Sequence, residues 1–213
     1  YSGRRYFPSR DAGITSFSHI GLRTTDPARD EAFWTEVCNA RVSDRIGAAP
    51  LLRIDPVHHK IALFPSTYPG VQHVNHQVES VNDVMRAWYF LKEQGVKIVF
   101  GPGRHPTSSA IFLYFEGPDG MVYEYSTGVR LIRPEDEATY MPRQFPFDAS
   151  SFCMWGSKND ETRTSQTARR VRGNEGNGRR EDQTLGLRAL THFLEPARHA
   201  QPTAAHKRCA GRR

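Results

Sequence analysis

The sequence predicts an α+β fold made of two consecutive βαβββ units, and three observations point to it. Strand-like and helix-like segments recur twice in the same order. His19 and His73, and likewise Trp34 and Trp88, repeat at a common offset of 54 positions. Six of the nine histidines lie between His19 and His105, inside that repeat.

The first unit opens at residues 17–24 (FSHIGLRT), a strand pattern. Asp26-Pro27 follows, an N-cap with proline at the first helical position, where the missing N–H is not needed. Phe33, Trp34 and Val37 continue at helical spacing. Strands are expected at 40–46, 51–54 and 59–64. The second unit opens at 72–79 (QHVNHQVE), and Ser80 with Asp83 three residues on marks the next N-cap. Its helix runs through Val84, Ala87, Trp88 and Leu91 to Gly95, with strands at 97–100, 110–116 and 121–126. The turn Gly117-Pro118-Asp119-Gly120 joins the last two. The two sheets are expected to face each other across a cleft lined by their first and last strands.

This organisation divides the chain into a lead-in at 1–15 and a main domain at 16–130, with modules 16–65 and 71–128. A segment at 131–158 (PRQFPFDASSFCMWG within it) is expected to pack on the domain or close its mouth. The tail at 159–213 is different in kind. From residue 161 onward it holds eleven Arg, one Lys and five acidic residues, a net of +7, but a single aromatic, Phe193. The chain as a whole carries +6, so the remainder is near neutral at −1. Such a composition does not bury enough apolar surface to offset ordering, so the tail is expected to be disordered or non-native, with at most a short helical stretch at 185–194. No aromatics interleave with its arginines, which argues against a nucleic-acid surface. No apolar run is long enough to span a membrane. Cys38, Cys153 and Cys209 form no CxxC pair, which fits a reducing cytoplasm. The chain begins at Tyr1 rather than Met, so a missing or processed N-terminus is expected.

A lone histidine on a strand is usually structural, but equivalent positions of a repeat can bring His19 and His73 to one point. Glu124, on the final strand (MVYEYSTG), completes a set of two imidazoles and one carboxylate. That set suits Fe(II), with Mn(II) second, and leaves positions open for substrate and dioxygen. His76 lies three residues beyond His73, on the other face of its strand, and reads as structural. Of His58 and His59, alternation turns only one inward. Gly103 and Arg104 read as a loop before a strand.

Five motifs carry a resemblance: SHIGL, VHHKIAL, QHVNHQVESVNDV, GRHPTSSAIFLYFEGPDG and VYEYSTG. Over residues 18–156 the sequence resembles the type I extradiol ring-cleaving dioxygenases of the vicinal oxygen chelate superfamily. The resemblance implies that fold, with His19, His73 and Glu124 as iron ligands. It implies His59 as the acid/base histidine, and His105 and Tyr114 as residues contacting the substrate hydroxyls or the oxygenated intermediate. A catecholic ring and dioxygen would be the reactants, in aromatic catabolism in the cytoplasm. Two-domain members carry a further βαβββ pair in front, so this chain is expected to be a single-pair enzyme or a fragment, homo-oligomeric if its native ends are present. The alternatives are a glyoxalase-like isomerase, which uses a fourth protein ligand, and a non-catalytic antibiotic-binding protein of the same fold.

Overall fold

The computed structural model describes residues 12–158. The expected tail at 159–213, with its helical stretch and Cys209, and most of the lead-in lie outside the described residues.

The strands are β1 (Ile14–Thr24), β2 (Arg41–Ile46), β3 (Ala49–Arg53), β4 (Ile61–Pro65), β5 (Gly70–Val78), β6 (Ile98–Arg104), β7 (Ile111–Glu116), β8 (Val122–Thr127) and β9 (Arg143–Phe145). The helices are α1 (Pro27–Ala32), α2 (Val81–Glu93) and a short α3 (Ala149–Phe152). Two βαβββ units are therefore present in the expected order. They do not form two facing sheets. The nine strands of the described residues join in one sheet, ordered β6-β7-β8-β5-β1-β4-β3-β2-β9.

The junction is the antiparallel pair β1·β5, in which Ile20 stands opposite Val74, His19 opposite Asn75 and Gly21 opposite His73. That register is symmetric about Ile20·Val74, so the rotation relating the units carries His19 onto His73. On either side the strands run outward in the same order, with β1·β4 and β5·β8 both parallel. Phe100 of β6 packs on the cluster holding Leu51, Ala62, Phe64 and Phe152. In a flat sheet β6 and β4, five steps apart, would stand about 24 Å from each other. The sheet is therefore curled, with this cluster on its inner face.

Helices α1 and α2 cover the outer face. Leu52, Ile61 and Leu63 pack with Trp34 behind the first unit, and Val78, Val84, Ala87 and Leu113 pack with Trp88 behind the second. Asp26 caps α1 as expected, accepting from the Arg29 N–H at 3.1 Å. Phe33 and Val37 do not pack inward. After Ala32 the helix widens, Cys38 N–H reaching back five residues to the Phe33 carbonyl, and both side chains are exposed. At α2 the Ser80 hydroxyl donates to the Asp83 carboxylate at 2.6 Å instead of capping a backbone N–H.

The segment after β8 is part of the domain. β9 adds in parallel to the edge strand β2, and Phe145, Phe147 and Phe152 fill the inner cluster. Gly103 and Arg104 belong to β6 rather than to a loop. Gly103 lies so close to Phe112 and the Cys153 sulfur that a Cβ there would meet them at 2.5 and 2.7 Å.

Candidate metal centre

Alternation in β1 sends Ile20 and Leu22 to the outer cluster and His19 inward. In β8 Tyr125 goes outward and Glu124 inward, in β5 His73 turns inward, and all three are buried. Their donors meet in a small triangle. His19 Nε2 and His73 Nε2 are 2.8 Å apart, and each lies 3.3 Å from Glu124 Oε2. Three ligands at right angles, each about 2.1 Å from one ion, would stand about 3.0 Å from one another. The triangle fits three adjacent corners of an octahedron, and the three residues can hold a metal ion.

The electrostatics point the same way. Both Glu124 oxygens are buried without a hydrogen-bond partner. Burial opposes ionisation of this carboxyl, but His105, His19 and His73 outweigh it and hold Glu124 well below the usual carboxylate range. Burial also pulls His19 down to about 4, so it is neutral at physiological pH. His73 Nδ1 donates to the Gln72 side-chain oxygen, which leaves Nε2 with its lone pair toward the triangle. Acceptors gathered in a dry site call for a cation.

Gly21 makes room for this arrangement. A Cβ there would stand 2.3 Å from His73 Nδ1 and 2.8 Å from Gln72 Oε1, so the glycine of SHIGL admits the ring of a ligand 52 residues later.

Two further groups flank the triangle. The His59 ring lies 4.3 Å from that of His19, and its pKa is held well below the ordinary value by burial first and by His19 second. On the other side Tyr114 lies against His73, ring centroids 5.2 Å apart, and its hydroxyl is 3.2 Å from His105 Nε2. His105 Nδ1–H donates to the Phe152 carbonyl at 2.7 Å, the ring stacks on Phe112, and Nε2 is 3.6 Å from Glu124 Oε1. Burial raises the Tyr114 phenol well above its usual value, so it remains a proton-bearing donor.

Each of the six expected residues thus lies at or beside the triangle. His76 is apart from it, edge-on to Phe17. The pair His58–His59 differs from expectation. It sits in the turn before β4, where strand alternation does not apply, and both rings are buried. His58 turns away from the triangle to Asp44, its Nε2 2.8 Å from Oδ2, and its Nδ1 is 3.0 Å from His59 Nδ1. Sequence reasoning missed Asp44, Gln72 and Arg143. Gln72 adjoins a ligand and was within reach, but Asp44 and Arg143 meet across 99 positions with no local signal.

A curled sheet of paired βαβββ units around a two-histidine, one-carboxylate site defines a class of metal-cleft proteins. The chain belongs to the Glyoxalase/Bleomycin resistance protein/Dioxygenase superfamily, which residues 16–125 match. It is 28% identical over 142 residues to a manganese-dependent 2,3-dihydroxybiphenyl 1,2-dioxygenase of Geobacillus genomosp. 3, covering 62% of this chain and 45% of that one. It is 25% identical over 160 residues to an iron-dependent extradiol dioxygenase of Rhodococcus jostii, covering 68% and 51%. The chain spans about half the length of the curated relatives it matches. Among solved structures it resembles a Mn(II)-bound glyoxalase from Novosphingobium aromaticivorans (TM-score 0.64, 30% identity, 72% of this chain and 50% of that one). A 2,2',3-trihydroxybiphenyl 1,2-dioxygenase from Sphingomonas wittichii shares the fold (TM-score 0.61, 22% identity, 70% and 53%). Among the described residues no helix is long and apolar enough to cross a membrane.

Proposed function

We propose that this chain carries the catalytic module of a cytoplasmic extradiol dioxygenase, which opens a catecholic ring beside its diol with dioxygen and Fe(II). The observation that carries the reading is the triangle of His19, His73 and Glu124, flanked by proton-handling groups on two sides. Iron, which His19, His73 and Glu124 would hold, would supply a Lewis acid for the diol and redox chemistry for dioxygen.

The protein's own residues do the rest. His59, neutral and shielded from water, takes a proton from the diol and returns one when the ring opens. Tyr114 donates a hydrogen bond to the developing oxyanion, and His105, anchored by the Phe152 carbonyl, orients that phenol. Leu51, Ala62, Phe64 and Phe152 line the inner face with apolar surface, which suits an aromatic ring and excludes water.

The glyoxalase-like alternative draws on the likeness to the Novosphingobium protein. It needs a fourth protein ligand, and the position symmetric to Glu124 is Ala62, since Gly21 pairs with Ala62 in the first unit as Asn75 pairs with Glu124 in the second. Anaerobic loading with Fe(II) or Mn(II), then 2,3-dihydroxybiphenyl and air, tests the proposal. Yellow ring-opened product with matching oxygen uptake is expected with Fe(II). Bound iron with neither product nor uptake overturns the reading. His59→Gln is expected to keep metal and substrate binding but slow turnover about 10²–10⁴-fold; unchanged turnover removes the acid/base role.

A further inference from the structure

We infer that Asp44 and His58 are positioning residues that set the tautomer of His59, leaving its Nε2 as the nitrogen that exchanges a proton. This rests on the role proposed for His59 and adds to it the chain of groups that prepares the ring.

The inference follows one hydrogen bond at a time. Asp44 is buried in β2. Its Oδ1 accepts from the Arg143 backbone N–H at 2.9 Å and from Arg143 Nε at 3.1 Å. Its Oδ2 accepts from the second guanidinium nitrogen at 2.6 Å and faces His58 Nε2 at 2.8 Å. Arginine offers donors only, so Asp44 is an ionised carboxylate and an acceptor on both oxygens. His58 Nε2 must therefore carry a hydrogen. His58 is itself neutral at physiological pH: burial disfavours its cation and outweighs the pull of Asp44 toward it, and the guanidinium groups of Arg130 and Arg143 add to the downward shift. A neutral imidazole bears a single N–H, so His58 Nδ1 presents a lone pair.

That lone pair stands 3.0 Å from His59 Nδ1. Two lone pairs at that distance would repel, so His59 Nδ1 carries the hydrogen and donates it. His59 then has its free lone pair on Nε2. Asp44 thus acts on His59 through His58, without itself reaching the metal triangle. Arg143 extends the device, since it also donates to the Thr107 carbonyl at 2.5 Å and belongs to β9. The segment after β8 thereby holds the orienting carboxylate in place.

Long-range ¹H–¹⁵N NMR of the full ¹⁵N-labelled chain, loaded with diamagnetic Zn(II), reads the tautomer of each imidazole directly. In the wild type, His59 is expected to show a protonated Nδ1 and an unprotonated Nε2. In Asp44→Asn, Arg143 retains the amide oxygen and the amide N–H turns to His58. The order of the relay then reverses, and His59 is expected to carry its hydrogen on Nε2. With Fe(II), Asp44→Asn is expected to lower kcat about 10²–10⁴-fold with KM little changed, and Asp44→Glu to recover part of the loss. A wild-type His59 protonated on Nε2, or an unchanged His59 tautomer in a folded Asp44→Asn protein, overturns the inference. The wild-type spectrum alone decides if that variant does not fold. Because NMR needs no turnover, an inactive enzyme with the expected tautomer would sink the dioxygenase reading and leave the relay standing.

Discussion

The two βαβββ units share one topology and divide the chemistry unequally. Gly21 pairs with Ala62 in the first unit as Asn75 pairs with Glu124 in the second. One strand further out, Leu51 stands beside Ala62 as Tyr114 stands beside Glu124. The symmetry that matches His19 with His73 therefore matches Glu124 with Ala62 and Tyr114 with Leu51. Both units give a histidine, but only the second adds a carboxylate and a phenol. The links differ in the same spirit. The first unit turns from β2 to β3 in two residues and spends seven, 54–60, before β4, where His58 and His59 sit. The second spends six, 105–110, between β6 and β7, beginning with His105, and five between β7 and β8. Each half lengthens a different link to hold a histidine beside the triangle. The repeat supplies a converging pair of histidines, and the departure from symmetry leaves Ala62, which has no donor, at the position symmetric to Glu124.

The sharpest way to break that asymmetry is Ala62→Glu, which offers a carboxylate from the symmetric position. A site closed by a fourth protein ligand has less room for a bidentate substrate and dioxygen. Metal is expected to stay bound while oxygen uptake falls by at least about 10²-fold. Ala62→Gln, of the same size, separates crowding of Leu51 and Phe64 from ligation. Full activity in Ala62→Glu would mean that the substrate does not use this face.

Much of this was legible in the sequence because it rests on periodicity. Strand alternation and the 54-residue offset were enough to pair His19 with His73, and the composition of residues 117–120 announced the turn that closes with Gly120 N–H on the Gly117 carbonyl. Contacts between distant segments were not legible. One continuous sheet depends on the β1·β5 pairing, and local pattern cannot tell two facing sheets from one curled one. The HH pair reads as an alternating strand until the Arg130 carbonyl, which accepts the His58 N–H, is seen to hold a turn there. Phe33 and Val37 kept helical spacing, yet the helix widens after Ala32 and exposes both.

A smaller perturbation tests the centre of symmetry. Asn75, opposite His19, fills its place with a side chain whose Oδ1 accepts from Ser126, whereas Gly21, opposite His73, leaves its place to the ligand's ring. Gly21→Ala puts a methyl group 2.3 Å from His73 Nδ1, so the ring or the strand must shift. Metal affinity is expected to fall about 10–100-fold, the range for losing a group that orients a ligand. Competition with a chromophoric chelator measures it, and wild-type affinity would show that His73 does not depend on this space.

The smallest expected effect lies on the outer faces, where the two helices are held differently. α2 buries Asp83, Val84 and Ala87 against its sheet, so apolar burial secures it. α1 buries no residue, and what ties it to β2 is the two-pronged pair of Glu31 with Arg45, at 2.5 and 2.6 Å. Both side chains are partly exposed, so solvent weakens their attraction, and such a pair contributes about 0.2–1 kcal/mol. Glu31→Gln is therefore expected to lower the melting midpoint by no more than about 4 °C in a chain of this length. Metal content and turnover should stay at wild-type levels, because α1 lies on the face away from His19. A larger fall in the midpoint would make the ion pair, rather than Trp34 packing on Leu52 and Leu63, the main attachment of the first helix. Lost metal would mean that the outer face of the first unit governs the position of His19 on the inner one.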